Sequence, residues 1–181
     1  MSSIMCNVIR HESNSENKLG SKVKLPPVTV HPGRILRRLS EHEVAESVER
    51  WLDCFGVNRA GVNTDAFMWH VFSFERFPSV QGVAAQEQYQ LHEAPEYIVV
   101  SNDRDEGFTT DVRPTDCSLA DWLVFPQNLA WTMVFTHEDG WLGPFFALNP
   151  RFKSLNAQNL AKIRKAREAD QIRPRPARSH E

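Results

Sequence analysis

Ser40 and Glu43 stand three residues apart directly ahead of Val44, Val48, Trp51, Leu52 and Phe55, which recur at helical spacing. No other feature constrains the fold as strongly. Ser-x-x-Glu is a capping box, in which each side chain satisfies a backbone N–H left free at a helix start. Gly56 supplies the stop. The segment therefore predicts a helix with one apolar stripe, and its other face carries Glu41, Glu46, Glu49 and Asp53.

The chain that follows is cut into short apolar runs by turn residues. F-M-W-H-V-F-S-F-E-R-F (67–77) is aromatic and β-branched, which predicts a strand; being apolar on both faces, it is placed centrally in a sheet. V-Q-G-V-A-A-Q-E-Q-Y-Q-L-H-E-A (80–94) reads as a second helix with Val80, Val83, Ala84 and Leu91 as core positions. Y-I-V-V-S (97–101) and F-T-T-D-V (108–112) flank a polar loop and predict a hairpin. D-W-L-V-F (121–125) and W-T-M-V-F-T-H (131–137) predict another, with Trp131, Met133 and Phe135 sharing the core face. G-P-F-F-A-L after Leu142 adds a short last strand. N-L-A-K-I-R-K-A-R-E-A-D (159–170) predicts a basic helix capped by Asn156 or Asn159, and the Pro-rich end should be disordered. The expected fold is α+β: a mostly antiparallel sheet of about five strands with helices on one face and flexible basic tails. One domain is expected over residues 34–150, between a leader (1–33) and a basic tail (151–181).

Charge is distributed unevenly along the 181 residues. Residues 1–38 carry a balance of +5, residues 39–150 a balance of −13, and residues 151–181 a balance of +6. An acidic body repels nucleic acid but attracts a basic partner and speeds its capture. No apolar run reaches the roughly 18–20 residues that span a bilayer, and no signal-peptide pattern opens the chain. Cys6, Cys54 and Cys117 are odd in number and form no C-x-x-C pair, which fits a reducing cytoplasm better than a disulfide framework.

W-H-V-F-S-F-E (69–75), E-Y-I-V-V-S (96–101) and N-L-A-W-T-M-V-F-T-H-E-D…G-P-F-F (128–146), in that order, resemble a set of small bacterial proteins, the domain-of-unknown-function family 4275. The resemblance covers roughly residues 40–147. It implies a bacterial origin and a compact α+β domain, and carries no reaction with it.

Residues able to do chemistry are few. His137 and Asp139 would share a face if the strand ran on, and His70 could add a third group, giving a small metal-dependent hydrolase centred on His70, His137 and Asp139. His137 and Asp139 are also the candidate metal pair. Against this, no H-x-x-x-H, H-x-H or H-E-x-x-H spacing occurs, and H-E-D-G reads equally as a polar turn. There is no G-x-x-x-x-G-K-[ST] and no G-x-G-x-x-G, so no cofactor is expected. The loop N-D-R-D-E-G lacks the ligand series of a calcium loop. Lys162, Arg164, Lys165 and Arg167 could meet nucleic-acid phosphates, although no aromatics are interleaved for base stacking. The leading expectation is a non-enzymatic cytoplasmic binding protein of the immunity or antitoxin kind, with an acidic surface that masks a basic effector. Its expected contacts are Glu46, Glu49 and Asp53 on the first helix and Asp103, Asp105 and Glu106 on the loop.

Overall fold

A computed structural model describes residues 27–138 and 140–172. Its elements run β1 (Val30–His31), β2 (Arg37–Arg38), α1 (Glu41–Phe55), α2 (His70–Ser73), β3 (Val80–Gln81), α3 (Val83–Leu91), β4 (Tyr97–Ser101), β5 (Gly107–Thr110), β6 (Asp116–Cys117), β7 (Trp122–Pro126), β8 (Trp131–Phe135), β9 (Phe145–Leu148) and α4 (Phe152–Ile172). Seven strands form one antiparallel sheet in the order β2-β5-β4-β7-β8-β9-β3, and β1 pairs with β6 beside it. The fold is α+β, as the sequence predicts.

The sheet is larger than the expected five strands because pairs of residues too short to carry a period, β2 and β3, extend its edges. Helices cover both faces, not one. Ile98, Val100, Leu123, Phe125, Val134, Phe145 and Ala147 pack on one side beneath α1 and the 68–77 segment. Tyr97, Val99, Trp122, Val124, Trp131, Met133 and Phe146 pack on the other, under α3 and the start of α4, with Val28 and Val30 from the stretch read as leader. Burial on both faces explains why β4 and β7 are apolar without alternation.

α1 forms as its sequence dictates. The Ser40 N–H donates to Glu43 Oε2 at 2.8 Å, the Glu43 N–H returns to Ser40 Oγ at 3.3 Å, and the Gly56 N–H closes on Leu52 O. Its stripe (Val44, Val48, Trp51, Leu52, Phe55) is buried. Trp51 fixes the helix on the sheet: its indole N–H donates to Thr132 Oγ1 at 2.9 Å, and that hydroxyl donates in turn to Val124 O.

Three expectations fail. Residues 67–77 are not a strand but a series of turns around the short helix α2, with Met68, Trp69, Val71, Phe72 and Phe77 buried. The buried residues of this run come at 68–69, 71–72 and 77 with exposed Phe74 between them, a spacing too short and too apolar for pattern to tell a turn of helix from a buried strand. In α3 the buried positions are Ala85 and Tyr89, while Val80, Val83, Ala84 and Leu91 are exposed. The helix starts only after Gly82, so Val80 falls on the edge strand β3 outside it, and the face turned to the sheet is that of Ala85 and Tyr89. α4 begins at Phe152, so Asn156 and Asn159 lie inside it and Asn159 is buried. The first turn is set by Asn149, which accepts the Arg151 N–H on its side chain at 2.8 Å and the Phe152 N–H on its carbonyl at 2.8 Å. The disordered end expected after residue 172 lies outside the described residues, as does the leader up to residue 26.

Candidate functional site

The segments that carry the family motifs meet at one end of the sheet. Asn102, 3% exposed, follows β4 and acts as the junction. Its side-chain oxygen accepts the Met68 N–H at 2.9 Å, its amide donates to Ala66 O at 2.8 Å, and its backbone N–H donates to Asp121 O at 3.0 Å. The loop before α2 is thereby held against the start of β7. Gly143 closes the same end from β9: its φ of 104° and the 2.7 Å between a notional Cβ and Thr136 Oγ1 exclude other residues.

At this end Asp121, 7% exposed, holds His137. The carboxylate accepts the His137 backbone N–H on Oδ1, and the imidazole Nδ1 lies 3.0 and 2.9 Å from Oδ1 and Oδ2. This fixes the tautomer with the proton on Nδ1 and turns Nε2 outward. The imidazole itself is 46% exposed. Its pKa is raised above the usual 6.5, first by the hydrogen bond to Asp121 and then by that carboxylate's charge. Glu138 Oε1 stands 3.9 Å from Nε2, and Oε2 of the same carboxylate is buried without a hydrogen-bond partner among the described residues.

His70 and His137 share an aromatic platform. Phe67 lies 5.2 Å from the His70 ring and 5.5 Å from the His137 ring, and Trp69 lies 4.7 and 6.5 Å from them. The sequence therefore named two residues that the fold does bring together, although it placed His70 on a strand. Asp139, the third member of that group, lies outside the described residues. The carboxylate that does contact His137 is Asp121, which the sequence reading missed. The hairpin register could have shown it: Trp122 pairs with Phe135, so Asp121 falls beside the chain entering His137. Among the described residues no three His, Cys, Asp or Glu side chains are placed to hold a metal ion. What the centre can do is bind or exchange a proton at Nε2.

The acidic residues divide into two groups. Glu46, Glu49 and Asp53 are exposed along α1, and none forms an ion pair among the described residues. On the β4–β5 loop, Asp103 and Asp105 are exposed, with Asp105 accepting from Ser101 Oγ at 2.8 Å. Glu106 is already paired with Arg38 at 3.0 Å. These three line a cleft of about 410 Å³ whose wall also includes Asp121, so the cleft backs onto the His137 centre. Lys162, Arg164, Lys165 and Arg167 are exposed on α4, where Arg164 faces Glu168 at 4.0 Å and Arg167 reaches back to Glu93 at 3.2 Å. No helix among the described residues is long and apolar enough to cross a membrane.

No curated protein and no solved structure matches the chain. A family model does, over residues 20–146, a span that takes in α1, the aromatic platform, Asp121 and His137. On that match the chain belongs to the family described as a domain of unknown function, DUF4275.

Proposed function

We propose that the chain is a non-enzymatic binding protein of the bacterial cytoplasm, of the immunity or antitoxin kind, whose acidic surface masks a basic effector such as a nucleic-acid-degrading toxin. The observation that carries this reading is the α1 face, where Glu46, Glu49 and Asp53 stand exposed and without a cationic partner among the described residues. They sit at i, i+3 and i+7 on a helix whose opposite stripe is locked into the core. Masking by charge needs only this: carboxylates held rigidly, so that little side-chain order is lost on binding and like-charged partners are repelled. Asp103 and Asp105 extend the negative surface, whereas the ion pair to Arg38 withdraws Glu106 from it.

The test is capture of partners from the native host at low salt by the wild-type chain and by a Glu46→Gln/Glu49→Gln/Asp53→Asn variant. A basic protein retained by the first and lost by the second supports the reading. Recovery of no basic protein removes its basis.

A second reading, hydrolysis, is favoured by one observation: a buried carboxylate orients an exposed imidazole whose free nitrogen faces solvent. Here Asp121 would set the tautomer of His137 and His137 would take a proton from water. It requires turnover of a chromogenic ester or phosphodiester that is lost in Asp121→Asn and His137→Ala alike.

A further inference from the structure

α4 carries its charge on two sides. From residue 151 to residue 167 every charged residue is a cation: Arg151, Lys153, Lys162, Arg164, Lys165 and Arg167. At about 3.6 residues per turn they fall into two rows, Arg151–Lys162–Lys165 and Lys153–Arg164–Arg167, on nearly opposite sides of the helix. All six are exposed. One of the two faces between the rows is turned to the body: Phe152 and Leu155 pack on the core, Asn159 is buried and Ile163 is half-buried. The other faces water and is small, with Ser154, Ala157 and Ala161 all exposed. Beyond Ile163 the helix is exposed on every side.

Half of these cations are uncompensated. Arg167 is paired with Glu93 at 3.2 Å, Arg164 stands 4.0 Å from Glu168, and Arg151 lines a cleft of about 580 Å³ together with Arg50 and Asp53. Lys153, Lys162 and Lys165 form no ion pair among the described residues. The acids of α4, Glu168 and Asp170, follow the last cation of either row. The exposed carboxylates of α1 lie across the sheet, since α1 covers one face and α4 starts on the other.

A small ridge flanked by cations on both sides fits a groove with anionic walls. The major groove of duplex DNA, about 12 Å wide, admits an α-helix and sets a phosphate backbone on each side of it. The 21 residues of α4 span about 31 Å, close to one turn of the duplex at about 34 Å. The major groove of duplex RNA is too deep and narrow to take the helix. A membrane takes up an apolar face, and α4 exposes only Leu160 and Ile172 among its large apolar side chains.

We propose that α4 is a DNA-binding arm that lies in the major groove, with Ser154, Ala157 and Ala161 toward the groove floor and the two rows on the flanking phosphates. Contacts of this kind are made to the backbone, so binding has little sequence preference and depends steeply on salt. The family match ends at residue 146, ahead of α4, so the arm lies outside the segment that defines the family. The assignment stands on α4 alone and is independent of the effector reading.

The probe is a fluorescent DNA duplex of about two helical turns, titrated with the full chain by anisotropy over a range of salt. An RNA duplex of the same sequence and vesicles containing phosphatidylserine are titrated beside it. The DNA duplex should bind most tightly, with affinity falling steeply as salt rises. Lys162→Gln/Lys165→Gln and Lys153→Gln/Arg164→Gln, one pair from each row and all at exposed positions, should each weaken binding roughly tenfold at low salt and make the salt slope shallower by about two. Ala157→Leu/Ala161→Leu, which leaves every charge in place, should weaken it as well. Failure of the DNA duplex to bind at low salt overturns the assignment, as does binding to vesicles or duplex RNA as tight as to DNA. So does a loss confined to one row, or binding that neither charge variant changes.

Discussion

The acidic face of α1 and the His137 end of the sheet use the same residue type in opposite ways. On α1, Glu46, Glu49 and Asp53 face water and carry their charge outward. At the sheet end, Asp121 is buried and its charge is committed to the backbone N–H and imidazole of His137. A net balance of −13 over residues 39–150 counts both alike. Only the fold separates carboxylates available to a partner from one that builds a fixed site, so the two regions should respond to substitution in different currencies: binding for the first, stability and proton affinity for the second.

The largest effect should come from the residue that joins α1 to the sheet. Trp51→Ala removes a fully buried indole and takes from Thr132 Oγ1 the one N–H it accepts from the helix, and should cost about 3–5 kcal/mol in chemical denaturation. A loss below about 1 kcal/mol would mean that α1 does not depend on this anchor. Next is Asp121→Ala, which leaves the His137 N–H groups without their acceptor and should cost about 1–3 kcal/mol. The same substitution should bring the His137 pKa down toward its ordinary value, readable by NMR titration. In the wild type, a His pKa raised on folding adds stability that is complete below the unfolded value and fades as pH rises through the folded value. Because the imidazole is nearly half exposed, solvent screens much of that gain and the slope should be shallow.

Smaller again is Ser40→Ala, which breaks the capping box and should cost about 1 kcal/mol. Glu43 supplies a pH signature for the same cap. The Ser40 backbone N–H, then Arg37 and the Ser40 hydroxyl, hold its pKa down at about 2 against an ordinary 4.5. Its contribution is thus present above about 4.5 and lost as pH falls toward about 2, a loss that acid unfolding of Ser40→Ala should no longer show in full. Least of all in stability, Glu46→Gln, Glu49→Gln and Asp53→Asn should each stay within about 0.5 kcal/mol of wild type while lowering affinity for a basic partner. A large stability change in any of them would move that carboxylate into the structural class with Asp121.

How far the sequence reveals all this depends on whether the signal is local. α1 was legible to the residue because cap, stripe and stop lie within seventeen consecutive positions, and the two hairpins were legible from turn chemistry. The exposure of Glu46, Glu49 and Asp53 followed from the α1 period alone. Residues 67–77 were misread because their apolar run is short and includes exposed Phe74 as well as buried Met68, Trp69, Val71, Phe72 and Phe77, so no period distinguishes helix from strand. β2 and β3 escaped notice because two residues carry no period. At the sheet end, His70 and His137 were picked out by chemistry, but their meeting on Phe67 and Trp69, and the grip of Asp121 on His137, are tertiary facts set by Asn102 and by strand register.

The central claim, that the exposed α1 carboxylates hold a basic protein, is tested most directly by the salt dependence of one affinity. The captured partner is titrated against the wild-type chain and the Glu46→Gln/Glu49→Gln/Asp53→Asn variant over a range of ionic strength. Wild-type affinity should fall steeply with salt, and the variant should bind more weakly at low salt and converge on the wild type as screening grows. Identical affinities and identical salt slopes for the two chains would contradict it.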